Sequence, residues 1–88
     1  MLLLFISECI DQHAQVDKEL GREYVVMHAY SVSEAVRLVK IAHDPIGCVL
    51  FSGKMLSQIS QVKAKTKTRY VVYSNIGLGK LKAELRSN

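Results

Sequence analysis

The sequence predicts an α/β fold in which four parallel strands form one sheet with helices on both faces. The first observation is a short apolar run, Ile46–Ser52 (IGCVLFS), bounded by Pro45 and Gly53. A run of this length between turn residues is typical of a strand buried on both faces, as in parallel sheets covered by helices. Residues 1–6 (MLLLFI) and 70–73 (YVVY) have the same character, and helical patterns separate the three runs. Because crossovers between parallel strands are right-handed, this alternation predicts a three-layer α/β/α domain with strand order 2-1-3-4.

Length and composition predict one domain over residues 1–88. Hydrophobic residues make up 49% of the chain and there is one proline, which favours a packed core over disorder. The run at residues 1–6 is too short for a membrane span or a signal peptide, so we expect a cytoplasmic protein with no membrane partner. Cys9 and Cys48 have neither disulfide-framework nor metal spacing, and Cys48 is expected to be a small buried hydrophobe.

The first half of the chain contains two strands and the helix between them. Strand 1 is predicted at Leu2–Ile6 and is followed by Ser7, which can cap a helix over about residues 9–20. Gly21 is a suitable residue to end that helix. Strand 2 is predicted over residues 23–29 (EYVVMHA), with mixed polarity that suits a strand at a sheet edge.

The remaining elements follow the same rules. Ser31 and Glu34 have capping-box spacing at the start of helix 2, which Pro45 stops. Apolar residues at spacings of three and four predict helix 3 after the third strand; they are Met55, Leu56, Ile59 and Val62. Residues 1–75 would then form the βαβαβαβ core. Residues 76–88 would form a C-terminal amphipathic helix marked by Leu78, Leu81 and Leu85.

The pattern over residues 2–75 resembles the receiver domain of two-component response regulators. Strand 1 followed by the polar pair Ser7 and Glu8 is similar to the opening of that family. Residues 21–40 (GREYVVMHAYSVSEAVRLVK) resemble its second strand and helix. Residues 44–52 (DPIGCVLFS) and 69–75 (RYVVYSN) resemble its third and fourth strands. Other flavodoxin-like domains share much of this pattern.

The resemblance implies a receiver that is degenerate and shortened. The family accepts phosphoryl on an Asp at the end of strand 3, holds Mg²⁺ with two acids after strand 1, and has a Ser or Thr after strand 4 and a Lys after strand 5. Here Ser52 stands at the acceptor position, Ser7 and Glu8 replace the acidic pair, and Ser74 matches the Ser/Thr. The fifth strand, its helix and its Lys have no counterpart. The resemblance therefore implies no aspartyl phosphorylation; a remnant anion or metal site at these four residues is the alternative, and one carboxylate is a poor Mg²⁺ cage.

Other catalytic and metal chemistry has little support in the sequence. Cys9 lies near a predicted helix N-terminus, where a thiol pKa falls, but residues 9–13 (CIDQH) are acidic and free of glycine, which disfavours phosphate. We expect Cys9 to pack on the sheet from one face of the helix. The histidines are not at metal spacing, so no metal or cofactor is expected; they are His13, His28 and His43. Gly77 and Gly79 indicate a tight turn rather than a phosphate loop. The sequence predicts no enzyme.

The fourth strand is the most informative feature for function. Without a fifth strand it would be an apolar edge with open backbone groups, which proteins rarely leave uncovered. The C-terminal helix could fold over it, or a second copy or another protein could add a strand. We expect a homodimer whose interface combines this strand and the helix: Tyr70, Val71, Val72, Tyr73, Leu78, Leu81 and Leu85.

Charge is uneven along the chain and supports a second hypothesis. Residues 1–53 carry four basic and seven acidic groups, a net charge of −3, whereas residues 54–88 carry eight basic groups and one acid, a net charge of +7. A basic half is typical of proteins that bind nucleic acid, although it can also be a solvated surface. The nucleic-acid hypothesis uses seven of these eight basic residues: Lys63, Lys65, Lys67, Arg69, Lys80, Lys82 and Arg86. Tyr70 and Tyr73 lie nearby and could stack on bases.

The sequence as a whole favours a receiver-like regulatory module that works without phosphorylation. It would act as an adaptor or inhibitor by binding a second copy of itself or a regulatory protein. Binding of nucleic acid through the basic half is the alternative, and an enzyme that uses Cys9 or the Ser52 pocket is the least favoured.

Overall fold

Strands and helices alternate through residues 2–73, which, with Ala83, are the residues described by this computed structural model. In chain order the elements are β1 (Leu2–Ile6), α1 (Ile10–Leu20), β2 (Val25–Ala29), α2 (Val32–Ile41), β3 (Ile46–Ser52), a 3₁₀ turn (Gly53–Met55), α3 (Ser60–Lys63) and β4 (Arg69–Tyr73). All strand pairs are parallel, and the sheet order is β2-β1-β3-β4. The predicted fold class and strand order are confirmed. Apart from Ala83, the predicted C-terminal helix lies outside the described residues.

The core has two halves, one on each face of the sheet. Leu4 and Ile6 of β1 point to the face covered by α2 and α3, whereas Leu3 and Phe5 point to the face covered by α1. All four side chains are fully buried, as is expected of a central parallel strand. The alternation of side chains along β1 therefore joins the three layers into one domain.

A bulge in β3 keeps its side chains on the same face of the sheet as the β1 residues opposite them. Leu2 is opposite Ile46, but Leu3 is opposite Cys48, so Gly47 is an extra residue in β3. The bulge places Cys48 on the α1 face, where it is buried as predicted.

The start of α2 and the end of α1 are at the predicted residues, Ser31 and Gly21. The Ser31 side chain accepts a hydrogen bond from the Glu34 backbone N–H (3.1 Å), as expected of an N-cap. The Glu34 carboxylate in turn accepts from the Tyr30 N–H (3.0 Å) rather than from Ser31. Gly21 ends α1 with an ordinary right-handed φ of −65°. Glycine is needed there because a Cβ would collide with the Asp17 carbonyl oxygen.

Two predicted boundaries and one predicted helix were wrong. β2 begins at Val25 rather than at residue 23, because the backbone N–H groups of Glu23 and Tyr24 still bond to the carbonyl of Leu20. The predicted helix 3 is a 3₁₀ turn, further turns and a single α-helical turn. The tighter turns rotate Leu56 outward, where it is 60% exposed, although it was assigned to the apolar face.

β4 begins at Arg69, one residue earlier than predicted. In the described part of the chain, no helix is long and apolar enough to cross a membrane.

Candidate functional site

A pocket of about 300 Å³ opens at the carboxyl ends of β1 and β3. The chain leaves β1 toward β2 on one side and leaves β3 toward β4 on the other, so the two loops diverge. A crevice at such a switch point is the usual ligand site of open α/β sheets. The pocket is lined by Ser7, Glu8, Cys9, Gln12, Ser52, Lys54 and Met55.

Ser7 is the most constrained residue of the pocket. Its hydroxyl accepts a hydrogen bond from the Cys9 N–H (3.1 Å) and donates one to Gln12 Oε1 (2.5 Å). Its N–H donates to the Ala29 carbonyl (3.0 Å), and its own carbonyl accepts from His13 Nε2 (2.8 Å). Ser7 therefore shapes the loop between β1 and α1. The prediction that Ser7 is the cap of α1 was wrong.

Cys9 lies at the rim of the pocket, which corrects the prediction that it packs on the sheet. α1 begins at Ile10, so Cys9 is the N-cap, with extended backbone (φ −90°, ψ 114°) and no side-chain cap bond. Its thiol is free and its residue is exposed. The buried residues of α1 are instead His13, Val16 and Leu20, since the helix presents its face to the sheet from residue 13 onward.

Ser52, Glu8 and Lys54 bring a hydroxyl and two opposite charges to the same pocket. Ser52 ends β3 and is 8% exposed, whereas Glu8 and Lys54 are exposed. The structure thus joins three of the four residues predicted from the receiver pattern, and the fourth, Ser74, lies outside the described residues. Among the described residues that line the pocket, Glu8 is the one carboxylate. Within the described ranges, no group of three or more His, Cys, Asp or Glu residues could hold a metal ion.

Gln12, Lys54 and Met55 line the pocket but were not predicted as site residues. Lys54 had a detectable signal, because it follows the end of β3 by two residues and the carboxyl ends of parallel strands share one edge. Gln12 had a weaker one, because it occupies the third position of α1, from which a side chain can reach back to the residues before the helix.

A second polar cluster runs from this pocket to the surface through His13 and His28. His13 Nδ1 and His28 Nδ1 lie 2.7 Å apart, and His28 Nε2 donates to the Asp17 carboxylate (3.0 Å). The His13 ring is buried, with the Tyr30 ring centroid 4.0 Å away and the Phe5 ring centroid 4.7 Å away. Burial lowers the pKa of His13, and the nearby charge of His28 lowers it further. The contact between His13 and His28 joins α1 to β2.

Comparison with known proteins adds no identification. No protein-family model, curated protein or solved structure matches this chain.

The side chains of the predicted interface strand β4 range from exposed to buried. β3 is its neighbour in the sheet, and no second neighbouring strand occurs among residues 2–73. Val72 is 46% exposed, whereas Tyr70 and Val71 are partly buried. Tyr73 is 3% exposed and packs edge-on against Phe5 (5.1 Å between ring centroids). The predicted interface residues of the C-terminal segment lie outside the described ranges: Leu78, Leu81 and Leu85.

The tyrosines are poorly placed to stack on bases. Tyr73 is buried, so that suggestion was wrong for this residue. The Tyr70 hydroxyl donates to the Thr66 carbonyl (3.0 Å), and Lys63 Nζ lies 5.3 Å from the centroid of its ring. Tyr70 is therefore engaged within its own domain.

The basic segment before β4 is exposed and lies at the opposite end of the sheet from the pocket. Lys63, Lys65 and Lys67 are exposed, and Arg69 is half-buried. This segment leads into the amino end of β4, so its charges lie near that end of the strand. The other basic residues of the hypothesis lie outside the described residues: Lys80, Lys82 and Arg86.

Proposed function

We propose that the protein is a receiver-like regulatory module of the cytoplasm that acts by binding protein, without phosphorylation, and that it forms a homodimer through β4. The observation that carries the proposal is Val72, an aliphatic side chain 46% exposed on a strand at the edge of the described sheet. An exposed apolar edge strand is a template for another strand and is normally covered.

The chemistry of the pocket supports a role without phosphotransfer. Ser52 stands where a receiver has its acceptor carboxylate, and a serine hydroxyl is far less nucleophilic than an ionised carboxylate toward a phosphoryl donor bound without a base. Glu8 supplies one carboxylate, whereas Mg²⁺ prefers a nearly octahedral set of oxygens. The residues present are better suited to hold the β1–α1 loop in shape than to transfer a phosphoryl group.

A second copy is the partner that fits β4 with the fewest assumptions. Two copies of β4 related by a two-fold axis run antiparallel and can continue the sheet into the partner. Val72 would then approach the same strand of the other protomer and lose its exposed area. A domain of this size gains appreciably from such burial, because a small core supplies limited stability.

Val72→Lys is expected to weaken the dimer at least tenfold, about 1.4 kcal/mol, because a lysine at the seam must be desolvated without a partner. Sedimentation equilibrium of wild type and variant measures this change. Val25→Lys is the matched control, since Val25 is also a valine on an edge strand, β2, and is 69% exposed. The control should dimerise as the wild type does.

The control also separates the proposal from its rivals. A wild type that remains monomeric at high protein concentration, or a dimer that Val25→Lys breaks and Val72→Lys does not, would refute the β4 interface. Treatment with a small-molecule phosphodonor and Mg²⁺ should leave both mass and sedimentation unchanged. A mass increase of one phosphoryl group would refute the phosphorylation-independent role.

Nucleic-acid binding remains a second proposal because Lys63, Lys65 and Lys67 are exposed within five residues of one another. If these three lysines contact phosphates, the logarithm of the binding constant for duplex DNA should fall with the logarithm of salt concentration, with a slope of about −2.7. Changing all three to Gln should remove that slope, whereas Lys18→Gln and Lys40→Gln on α1 and α2 should preserve it. Equal binding by both sets of variants would refute a role for this segment.

A further inference from the structure

His13 and His28 form a hydrogen-bonded chain whose two ends are fixed as acceptors. At one end is the Ser7 carbonyl, 2.8 Å from His13 Nε2, and at the other is the Asp17 carboxylate, 3.0 Å from His28 Nε2. A carbonyl and a carboxylate can only accept, so both Nε2 atoms must carry protons. The two Nδ1 atoms meet at 2.7 Å in the middle of the chain.

Counting protons along this chain gives the charge of the pair. A hydrogen bond between the two Nδ1 atoms requires one proton between them, because two lone pairs repel and two N–H groups collide. With both Nε2 atoms protonated, the pair then holds three protons. Two neutral imidazoles hold two protons, so the fully hydrogen-bonded histidine pair carries one positive charge, which the Asp17 carboxylate balances.

We propose that His13 and His28 form a clasp, a singly charged pair with one proton shared between the two Nδ1 atoms. The clasp ties α1 to β2 and holds the Ser7 carbonyl in place, so that the loop lining the pocket responds to pH. A pair with three ring protons, and therefore one positive charge, makes all three hydrogen bonds. A neutral pair has two ring protons for three hydrogen bonds, so it loses the bond to the Ser7 carbonyl, the bond between the Nδ1 atoms or the bond to Asp17. A doubly protonated pair loses the bond between the Nδ1 atoms and places two charges side by side.

Charged groups of two helices, α1 and α2, surround the pair. On α1 the only acidic group in contact is Asp17, which faces the 23% exposed side chain of His28. From α2, the Glu34 carboxylate acts on His13, but it also receives the Tyr30 N–H and lies 3.9 Å from the Arg37 guanidinium. Burial, which lowers the pKa of His13, outweighs these contributions.

The clasp predicts a pH optimum for stability. The pKa of His13 is lowered in the folded protein, so the unfolded chain binds more protons in acid and stability falls as the pH drops below about 6.5, the ordinary value for histidine. As the pH rises and the pair loses one of its three ring protons, it becomes neutral and one charge-assisted hydrogen bond is lost. The unfolding constant should then rise roughly tenfold or more.

Asp17→Asn tests the proton count directly. In this variant the Asn amide can donate to an unprotonated Nε2 of His28. The proton of that neutral His28 ring then lies on Nδ1, which can donate to Nδ1 of His13. The three hydrogen bonds are thereby completed by a neutral pair. We expect the unfolding constant of the wild type to increase as the pH rises from the optimum to pH 9, and that of Asp17→Asn to stay constant within about twofold. Urea unfolding of the full chain across this pH range measures both.

His43→Gln is the matched control, because His43 is exposed and the change removes one imidazole without touching the pair. It should retain the wild-type pH dependence. Nitrogen-15 spectra of the imidazoles in the wild type give a readout that does not depend on folding of any variant. At the stability optimum both Nε2 atoms should be protonated and one proton shared between the Nδ1 atoms. Two neutral imidazoles at that pH, or the same pH dependence in Asp17→Asn as in the wild type, would overturn the clasp.

Discussion

Phe5→Ala is expected to destabilise the fold by about 3–5 kcal/mol, the largest effect of any single change proposed for this chain. Phe5 is fully buried in β1, one of the two inner strands, and its ring makes edge contacts with His13 (4.7 Å) and Tyr73 (5.1 Å). Truncation removes the ring from the α1 half of the core and leaves a cavity among side chains on a rigid sheet, which cannot close it. Urea unfolding followed by circular dichroism measures the loss.

The size of this effect should be judged against the total stability. A domain of this length has a free energy of unfolding of roughly 4–13 kcal/mol, so Phe5→Ala would leave a small fraction of it. Phe5→Leu retains most of the volume and should cost about 1.5 kcal/mol or less. Ile10→Ala is the surface control, since Ile10 is 72% exposed, and should change stability by less than about 0.5 kcal/mol. Similar losses for Phe5→Ala and Ile10→Ala would contradict the described core.

His13→Ala is expected to cost about 3 kcal/mol at neutral pH, from a cavity and from a lost hydrogen bond. The His13 side chain is almost completely buried and donates to the Ser7 carbonyl, which would be left without that donor. The same change removes the contact with His28 Nδ1 and frees α1 from β2 at this point. Denaturant unfolding gives the stability, and amide hydrogen exchange at residues 7–13 shows whether the loop opens locally.

His43→Ala is the control for this change, because it replaces the same residue type at an exposed position. Its cost should be less than about 0.5 kcal/mol. His13→Gln retains an N–H donor of comparable reach and should recover part of the loss. Equal destabilisation by His13→Ala and His43→Ala would show that the buried contacts of His13 contribute nothing. Because Phe5 and His13 touch, the double variant should lose less than the sum of the two single changes.

Much of the fold followed from short-range patterns. The apolar run Ile46–Ser52 predicted a doubly buried strand with the observed boundaries, and every residue of it is buried except Gly47, which is half-buried. Strand order followed from the handedness of crossovers, which depends on chain chirality rather than on particular residues. The prediction of a regular helix 3 was wrong, because spacings of three and four residues fit a 3₁₀ turn followed by one helical turn as well as they fit a regular helix.

The candidate site was predictable to the extent that it follows from topology. Ser7, Glu8 and Ser52 share a pocket because the carboxyl ends of β1 and β3 are neighbours in any sheet of this order. The exposure of Cys9 was not predictable, because it depends on whether α1 begins one residue earlier or later. A shift of one residue turns a side chain by about 100° around a helix.

By itself, the sequence determined the α/β class, the order of the strands and the end of the sheet at which polar residues gather. These properties depend on hydrophobic periodicity and chirality, which are local. Only the tertiary structure decided that His13 and His28, fifteen residues apart on α1 and β2, meet through their Nδ1 atoms. That contact depends on the angle at which α1 crosses the sheet and on the register of β2, and both are set by the packing of side chains from the whole core.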